Sequence, residues 1–301
     1  MRPRRNRKLH EDVSKRRNAD PMPMPMIHTD TDRFVAFESI ENGRELGGLA
    51  MRDGRKIQHN RLVRSGHLAR ASDGDVAMLK GRFGTSHVFD FRFDAETRDA
   101  EDRRMEGVCY TRLSTLPKAF VEGFTSGRAD TARVKSTDFV ELLTTYAFHP
   151  QAQEASRRLY PAIVMDSASQ RLYGEFLRGV LQAPGGVLWH CSQGKDRAGW
   201  ATAFVLAALG ADRRTIVEDF DLSNKFYAPI VEKLSARVVE KGGGKPELEF
   251  IHSMVGVSTA NFEQALDLIG ERYGSLTSYI ERALGMTAGE QEQLREKYLT
   301  Q

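Results

Sequence analysis

A short run near the middle of the chain, residues 187–199, limits what this sequence can fold into more than any other feature. Its first residues, VLWH, are typical of a buried strand, and the loop that follows opens at Cys191. From Arg197 to Gly210 the sequence is mostly apolar and rich in alanine, which favours a helix that ends at the glycine. Five residues separate Cys191 from Arg197. The run therefore predicts a strand, a tight loop and a helix whose N-terminus faces the cysteine.

The residue types of this loop suit the binding of a phosphoryl group. Backbone N–H groups at a helix N-terminus bind anions, and the same positive potential stabilises a thiolate. A nucleophilic Cys191 needs that potential, because an ordinary cysteine is mostly un-ionised at neutral pH. Gly194 lets the backbone approach the anion, and Arg197 offers a planar fork that can bridge two phosphate oxygens. We predict that the residues around the phosphate are Ser192, Gln193, Gly194, Lys195 and Ala198.

Residues 190–199, HCSQGKDRAG, resemble the HCxxGKDRxG signature of the atypical protein-tyrosine phosphatases of bacteria and fungi, the PtpB-like family. Other segments are similar to that family in the same order. They are NGRELGG at 42–48, with Glu45 where Asp is usual, RLVRSG at 61–66, DFR at 90–92 and DFDLSN at 219–224. The resemblance covers residues 34–301. It implies a cysteine-phosphatase fold in which a helical lid, placed within 220–255, covers the site.

Predicted strands alternate with predicted helices along the chain, which favours the α/β class with a mostly parallel central sheet flanked by helices. Such a sheet binds ligands at the carboxyl ends of its central strands. From about residue 212 onward the pattern is helical. We predict one phosphatase domain at 34–301. The predicted elements are strands at 35–37, 62–64, 86–93 and 107–113, a helix capped by Ser72 and a helical stretch at 155–182.

Residues 1–33 differ from the rest of the chain. Residues 1–20 hold eight Lys and Arg against three Asp and Glu, so the formal net charge of +3 arises there. Without hydrophobic periodicity, this segment is predicted to be a disordered basic tail or an over-long start. The sequence shows no signal-peptide core and no membrane span, which favours a cytoplasmic location, with export without a signal left open. We expect no nucleic-acid partner.

The leaving oxygen of a phosphate ester needs a proton, and two aspartates are candidates for the general acid. Asp196 lies inside the loop beside Arg197, and in PtpB-like enzymes the aspartate at this position is a candidate acid. Asp90 lies near the end of the predicted strand 86–93, and it could instead pair with Arg92 or Arg197 and orient the loop. We favour Asp196, with Asp90 as the alternative. His190 is expected to hold the loop by hydrogen-bonding the backbone.

The expected reaction is hydrolysis of phosphotyrosine in proteins through a cysteinyl-phosphate, with phosphoserine and phosphothreonine as further substrates. A phosphoinositide is the alternative substrate, since Lys195 would add a second cation at the rim of the loop. Two further hypotheses are a pseudophosphatase that binds a phosphorylated partner without turnover, and a rhodanese-type sulfurtransferase, which does not need Arg197. Ala198 stands where many thiol phosphatases carry Ser or Thr, which bears on how fast the intermediate is hydrolysed.

No metal or cofactor is expected for this chemistry. The eight histidines show no paired ligand spacing of the HExxH kind. The two cysteines, Cys109 and Cys191, are too few for a disulfide framework. Cys109 falls in the predicted strand 107–113, where we expect a buried thiol that acts as a small apolar side chain.

Overall fold

The computed structural model describes residues 33–98, 100–122 and 136–301, without the side chains of 136–140. Except for Arg33, the predicted basic tail at 1–33 lies outside the described residues. The strands are β1 (Arg44–Glu45), β2 (Leu62–Ser65), β3 (Thr85–Asp90), β4 (Cys109–Arg112) and β5 (Gly186–His190). The helices are α1 (Asp73–Gly81), α2 (Asp94–Arg98), α3 (Ser136–Ala147), α4 (Pro150–Met165), α5 (Ser167–Gln182), α6 (Asp196–Leu209), α7 (Arg213–Glu240), α8 (Lys245–Val255), α9 (Thr259–Tyr273), α10 (Leu276–Arg282) and α11 (Ala288–Tyr298).

The five strands form one sheet in the order β1-β2-β5-β3-β4. β1 runs antiparallel to β2, and every other pair of neighbours is parallel. β5 occupies the centre, and all its residues are buried, as expected for a parallel strand covered on both faces. The structure confirms the predicted α/β class with a mostly parallel sheet. The loop after β5 consequently opens at the carboxyl ends of the central strands.

Successive residues of the central strands face opposite sides of the sheet and enter two different hydrophobic clusters. Leu188 packs with Val63 and Val88 on the side that α1 covers. Trp189 packs with Phe89 on the other side, in the larger cluster that includes α5 and α6. Apolar side chains therefore cover both faces of the central strands, and this packing positions the end of β5 from which the loop leaves.

α6 forms because its alanine-rich sequence is a strong helix former, and it is buried on all sides from Ala198 to Leu209. It ends at Gly210, whose φ of +99° is the left-handed conformation that glycine adopts readily. The predicted cap of α1 is also confirmed, since the Ser72 side chain accepts a hydrogen bond from the Asp75 backbone.

A third hydrophobic cluster lies apart from the two at the sheet. We call the elements that build it the cap: α3, α8 and residues 227–240 of α7. Its buried side chains are Leu143, Ala147, Tyr227, Val231, Leu234, Val238, Phe250, Ile251 and Val255. The range 220–255, predicted to hold lid helices, falls on α7 and α8. The cap therefore has an apolar interior of its own, distinct from the two clusters at the sheet.

Several local predictions differ from the structure. Residues 35–37 form no strand, and an isolated bridge pairs Phe34 with Arg44 next to the short β1 that the sequence did not predict. The helical stretch 155–182 is two helices, because Asp166 leaves the helical conformation and caps α5. The expectation of a buried Cys109 was wrong: its thiol is exposed, since β4 is the edge strand of the sheet. Within the described residues, no helix is long and apolar enough to cross a membrane.

Candidate active site

Cys191 follows directly after β5 and is almost completely buried, with 2% of its surface exposed. α6 begins at Asp196 on the far side of the loop, so the positive end of its dipole is directed at the loop. Arg197 belongs to the first turn of the same helix. The structure thus brings Cys191, Asp196 and Arg197 together at the carboxyl edge of the sheet.

The carbonyl oxygens of the loop are held by side chains from other elements. Nδ2 of Asn42 donates to the carbonyl oxygens of Gln193 (3.3 Å) and Gly194 (3.1 Å). Nη2 of Arg64 donates to those of Gly194 (2.8 Å) and Lys195 (3.1 Å). Because the C=O and N–H of a trans peptide point in opposite directions, these bonds turn the loop N–H groups to the other side. The loop therefore presents several N–H donors to an anion.

A buried ion cluster behind the loop supports Arg64. Oδ2 of Asp219 pairs with Nη1 of Arg64 at 2.8 Å, and its Oδ1 pairs with Nη2 of Arg33 at 2.9 Å. Burial alone would raise the pKa of Asp219, but Arg33, Arg44 and Arg64 hold it well below its usual value. Three arginine side chains and one carboxylate leave a net positive charge on the side of the loop that carries its carbonyl oxygens. This charge favours an anion bound at the N–H groups on the other side.

Gly194 is the one loop residue in the left-handed region, with a φ of +68°. A Cβ built on it would lie 2.3 Å from the carbonyl carbon of Ser65 and 2.5 Å from the amide nitrogen of Gly66. Both neighbours are backbone atoms of the chain beside the loop, so neither can move aside cheaply. The motif glycine is required by this close approach as well as by its φ.

We expect Gly194→Ala to displace the loop, lowering kcat/KM by more than about 10-fold and the free energy of unfolding by about 2 kcal/mol. Gly270→Ala is the matched control, since Gly270 lies within α9 with no atom within 4 Å of its Cβ position. That control should keep activity and gain a few tenths of a kcal/mol. Phosphatase assays and urea unfolding measure both. Wild-type activity in Gly194→Ala would contradict the close approach.

Glu96, in α2, holds the guanidinium of Arg197 from the side. Nη1 of Arg197 lies 2.7 Å from Oε2 of Glu96, and Nη2 lies 2.7 Å from Oε1. Nη1 also donates to the carbonyl oxygen of Phe91 at 3.1 Å. Burial alone would raise the pKa of Glu96, but Arg197 and the Ser192 hydroxyl lower it. The bidentate pair therefore stays ionised and fixes the plane of the guanidinium.

This arrangement leaves one edge of Arg197 for a ligand. Among the residues that the structure describes, no acceptor lies within hydrogen-bond distance of its Nε. The two terminal nitrogens, Nη1 and Nη2, both donate to Glu96. The Glu96 carboxylate raises the pKa of Arg197 above its usual value and outweighs the opposite effect of burial. The Nε edge is the one that can bind phosphate oxygens while Glu96 keeps the side chain in place.

Asp90 is part of a second buried ion network. Its Oδ1 accepts from Nε of Arg92 at 2.9 Å, and its Oδ2 accepts from Nη2 at 2.9 Å. Nη2 of Arg92 also lies 2.9 Å from Oδ2 of Asp102. These two carboxylates and His190 are the residue types of a metal site. The Arg92 guanidinium already bridges both carboxylates, so we interpret the cluster as an ion-pair network.

His190 lies between the two carboxylates of this network. Its Nδ1 is 3.2 Å from the carbonyl oxygen of Cys191, and its Nε2 is 3.0 Å from Oδ2 of Asp102. Burial alone would lower the pKa of His190, but Asp90 and Asp102 raise it. Burial alone would raise the pKa of Asp102, but His190 and Arg92 lower it to about 2. The imidazole of His190 therefore contacts the start of the loop at the Cys191 carbonyl oxygen.

Asp196 and Lys195 have partners that the sequence did not indicate. Oδ1 of Asp196 accepts a 2.6 Å hydrogen bond from the Tyr160 hydroxyl, and its Oδ2 lies 3.7 Å from Nζ of Lys195. The Lys195 ammonium donates to the carbonyl oxygens of Met254 (2.5 Å) and Gly256 (2.7 Å), at the end of α8. The expectation of Lys195 at the loop rim was wrong, because the side chain is buried against the cap.

The other predicted phosphate-binding residues take different positions around the loop. The Ser192 hydroxyl donates to Oε1 of Glu96 at 2.5 Å. The carbonyl oxygen of Gln193 accepts from the Tyr227 hydroxyl at 2.8 Å, which joins the loop to the cap. Ala198 is fully buried in the main core, so its methyl group faces away from solvent. Whether these residues contact phosphate stays a prediction.

The loop is largely covered in this structure. A cleft of about 30 Å³ opens beside it, lined by Ser39, Glu41, His67, Arg70 and Ser192. That volume holds about one water molecule, so a phosphorylated side chain needs a wider opening. Tyr227 and Lys195 connect the cap to the loop on the covered side.

Sequence reasoning missed the residues that act on the loop from a distance. Asn42, Arg64 and Asp219 lie in segments that resemble the family, but no role followed from their position in the sequence. Nothing in the sequence pointed to Glu96, which is one of five acidic residues between positions 94 and 102. Tyr160 carried no signal beyond its place in a helical stretch. Only the contacts reveal these partners.

Comparison with known proteins agrees with this geometry. The model of the tyrosine phosphatase family matches residues 35–300. A protein of Cupriavidus necator, provisionally named a tyrosine-protein phosphatase, is 27% identical over 275 residues, which cover 88% of each chain. The triple specificity protein phosphatase PtpB of Mycobacterium tuberculosis is 27% identical over 246 residues, 75% of this chain and 87% of its own. The resemblance inferred from the loop is confirmed: this chain is a phosphatase and belongs to the tyrosine phosphatase family.

Proposed function

We propose that this protein hydrolyses phosphotyrosine in proteins through a cysteinyl-phosphate intermediate on Cys191. The observation that carries the proposal is the loop itself: a buried cysteine at a helix N-terminus, with the loop carbonyls tied back by Asn42 and Arg64. The Cys191 thiolate attacks phosphorus as the bond to the tyrosine oxygen breaks. Arg197 and the loop N–H groups stabilise the charge on the three equatorial oxygens. Water then cleaves the S–P bond and releases phosphate.

The buried position of Cys191 supports an aryl phosphate as the substrate. A phosphotyrosine carries its phosphoryl group farther from the peptide backbone than phosphoserine does, so it reaches deeper into a covered site. The case for a phosphoinositide rested on Lys195 as a free second cation. In the covered site that ammonium is bonded to the carbonyl oxygens of Met254 and Gly256, so the phosphoinositide alternative requires Lys195 to leave both partners when the cap moves.

The cap fits the role of the lid that the resemblance implied. It has its own apolar cluster, and it meets the loop through the polar contacts of Tyr227 and Lys195. Polar contacts of this kind exchange for water more readily than buried apolar surface does. We infer that the cap moves as a unit to admit the substrate.

The geometry around the two aspartates favours Asp196 as the general acid. Asp90 accepts three hydrogen bonds from Arg92, which direct its carboxylate into the ion network and away from the loop. Asp196 lies in the first turn of α6 beside Arg197 and is partly exposed. We propose that Asp196 protonates the leaving oxygen and that Asp90 orients His190 and the loop.

We expect Asp196→Asn to slow hydrolysis of a phosphotyrosine peptide by about 10²–10⁴-fold. The loss should be much smaller for an activated aryl phosphate such as a nitrophenyl ester, whose leaving group departs as an anion without help. Asp90→Asn should depress both substrates to a similar degree, because it disturbs the loop rather than proton transfer. Steady-state kcat for the two substrates in each variant measures this. A leaving-group-dependent loss in Asp90→Asn alone would reverse the assignment.

The proposed substrate is tested by assaying phosphotyrosine, phosphoserine and phosphothreonine peptides and phosphoinositides side by side in EDTA. The relative from Mycobacterium tuberculosis is named for triple specificity, so the panel must extend beyond one substrate class. We expect the phosphotyrosine peptide to give the highest kcat/KM. A higher value for a phosphoinositide would overturn the substrate assignment. Tight phosphate binding without turnover, or transfer of sulfur from thiosulfate to cyanide, would overturn the proposed reaction.

A further inference from the structure

The hydroxyl of Tyr160 is buried against the carboxylate of Asp196, and the reaction steps described above do not use it. The tyrosine lies in α4 with 3% of its surface exposed, and its hydroxyl donates to Oδ1 of Asp196 at 2.6 Å. We propose that Tyr160 is a positioning residue that orients Asp196 and stabilises the carboxylate left after Asp196 has given up its proton. This inference rests on the proposed role of Asp196 as general acid.

Three aromatic rings fix the ring of Tyr160 in place. Its centroid lies 5.6 Å from that of Phe220, 6.2 Å from that of Trp200 and 6.5 Å from that of Phe262. The interplanar angles of 90°, 74° and 88° are those of favourable edge-to-face packing. A ring held on these sides cannot turn its hydroxyl away without disrupting the packing. The hydroxyl is therefore preorganised toward Asp196.

The two oxygens of Asp196 have unequal partners. Oδ1 accepts the hydrogen of the Tyr160 hydroxyl, while the nearest cation to Oδ2, Nζ of Lys195, lies 3.7 Å away. That ammonium is already bonded to two carbonyl oxygens at the end of α8. When Asp196 is protonated, its proton is therefore placed on Oδ2. The hydroxyl thus decides which oxygen delivers the proton to the leaving group.

The hydrogen bond also changes in strength during the reaction. A hydrogen bond to an ionised acceptor is roughly twice as strong as one to a neutral acceptor. Tyr160 therefore stabilises the transition state, in which Asp196 is becoming a carboxylate, more than the ground state. Burial, followed by the neighbouring Asp196, raises the pKa of Tyr160 well above its usual value, so the hydroxyl keeps its proton throughout.

We expect Tyr160→Phe to lower kcat for a phosphotyrosine peptide by about 10–10²-fold, but kcat for a nitrophenyl phosphate by less than about 3-fold. Without the donor, the carboxylate form of Asp196 loses a hydrogen bond that favours it over the protonated form. The high-pH limb of the kcat/KM profile for the peptide should consequently shift upward by about one pH unit. The other titratable groups that interact with Asp196 are unchanged in this variant; they are Lys195, Arg197, Tyr173 and Tyr227.

Tyr279→Phe is the matched control for loss of a buried hydroxyl. Tyr279 is fully buried, and its hydroxyl donates at 2.6 Å to the carbonyl oxygen of Val164 in the same helix α4. It should lose a similar amount of stability and keep the wild-type pH profile. A ring-fluorinated tyrosine at position 160, a stronger donor of the same shape, should shift the limb downward, and it tests the inference even if Tyr160→Phe folds poorly.

The double variant Tyr160→Phe/Asp196→Asn should lose no more peptide activity than Asp196→Asn alone. A full additional loss, or equal losses for peptide and nitrophenyl substrates in Tyr160→Phe, would show a packing role and overturn the inference. If Asp196→Asn lacks the leaving-group-dependent loss, the proposed acid and this inference both fail. If Asp196→Asn shows that loss while Tyr160→Phe behaves like Tyr279→Phe, only the inference fails.

Discussion

Cys191→Ser should lower kcat for an aryl phosphate by at least about 10⁴-fold, while the protein still binds phosphate. A serine hydroxyl is far less acidic than a thiol, so the loop cannot ionise it. The loop N–H groups and Arg197 remain, so the affinity for the anion should persist. Steady-state assays with a nitrophenyl phosphate give the loss of turnover, and calorimetric titration with inorganic phosphate gives the retained binding.

Cys109→Ser is the matched control, since the second cysteine is exposed on the edge strand of the sheet. It should keep wild-type activity. Rapid acid quench of the wild-type enzyme with a labelled substrate should trap a phosphoryl group on Cys191 and none in the Cys191→Ser variant. Residual turnover above about 1% in that variant would mean that another side chain is the nucleophile.

Arg197→Lys should be almost as damaging as Arg197→Ala, with kcat/KM reduced by about 10³–10⁴-fold in both. In the structure this side chain bonds the two oxygens of Glu96 and the carbonyl oxygen of Phe91, and the proposed reaction requires it to bind phosphate as well. A lysine provides one ammonium, which cannot span Glu96 and a phosphate together. Removing the guanidinium also leaves the buried Glu96 carboxylate without its partner.

Arg213→Lys is the control for the chemical change itself. Arg213 pairs with Asp267 at the surface, just beyond the C-terminal end of α6, whereas the loop lies at the N-terminal end of that helix. Its replacement should therefore leave kcat/KM unchanged. The comparison is made with the nitrophenyl phosphate, so that loss of the general acid does not contribute. Activity of Arg197→Lys within 10-fold of the wild type would disprove the need for a planar fork.

Much of the fold follows from local patterns that a single sequence displays. The buried run before Cys191 predicts a central strand, and the alanine-rich run that ends at Gly210 predicts the helix after the loop. The cap of α1 at Ser72 is equally local, because the bond joins residues three apart. The prediction at 35–37 was inaccurate, because strand pairing depends on distant partners. The break within 155–182 is local, since Asp166 accepts a hydrogen bond from the backbone of Ser169, and the prediction of one helical stretch missed it.

The candidate site likewise has features that local spacing predicts and features that depend on distant contacts. The positions of Cys191, Asp196 and Arg197 relative to one another follow from their spacing in a strand–loop–helix unit. The contacts that set their chemistry come from elsewhere in the chain. Glu96 lies 101 residues from Arg197 and Asn42 lies 152 residues from Gly194, and no periodicity or motif connects either pair.

The sequence by itself determined the loop, the place of Cys191 within it and the α/β class, because these depend on short-range spacing and on the alternation of strands and helices. The tertiary structure alone decided which way the Lys195 ammonium turns, what holds Arg197 and which hydroxyl meets Asp196. A side chain can take partners from any element packed against it, and its own sequence neighbours do not specify that packing. The same reason places Cys109 at an exposed sheet edge although its local sequence is that of an ordinary strand.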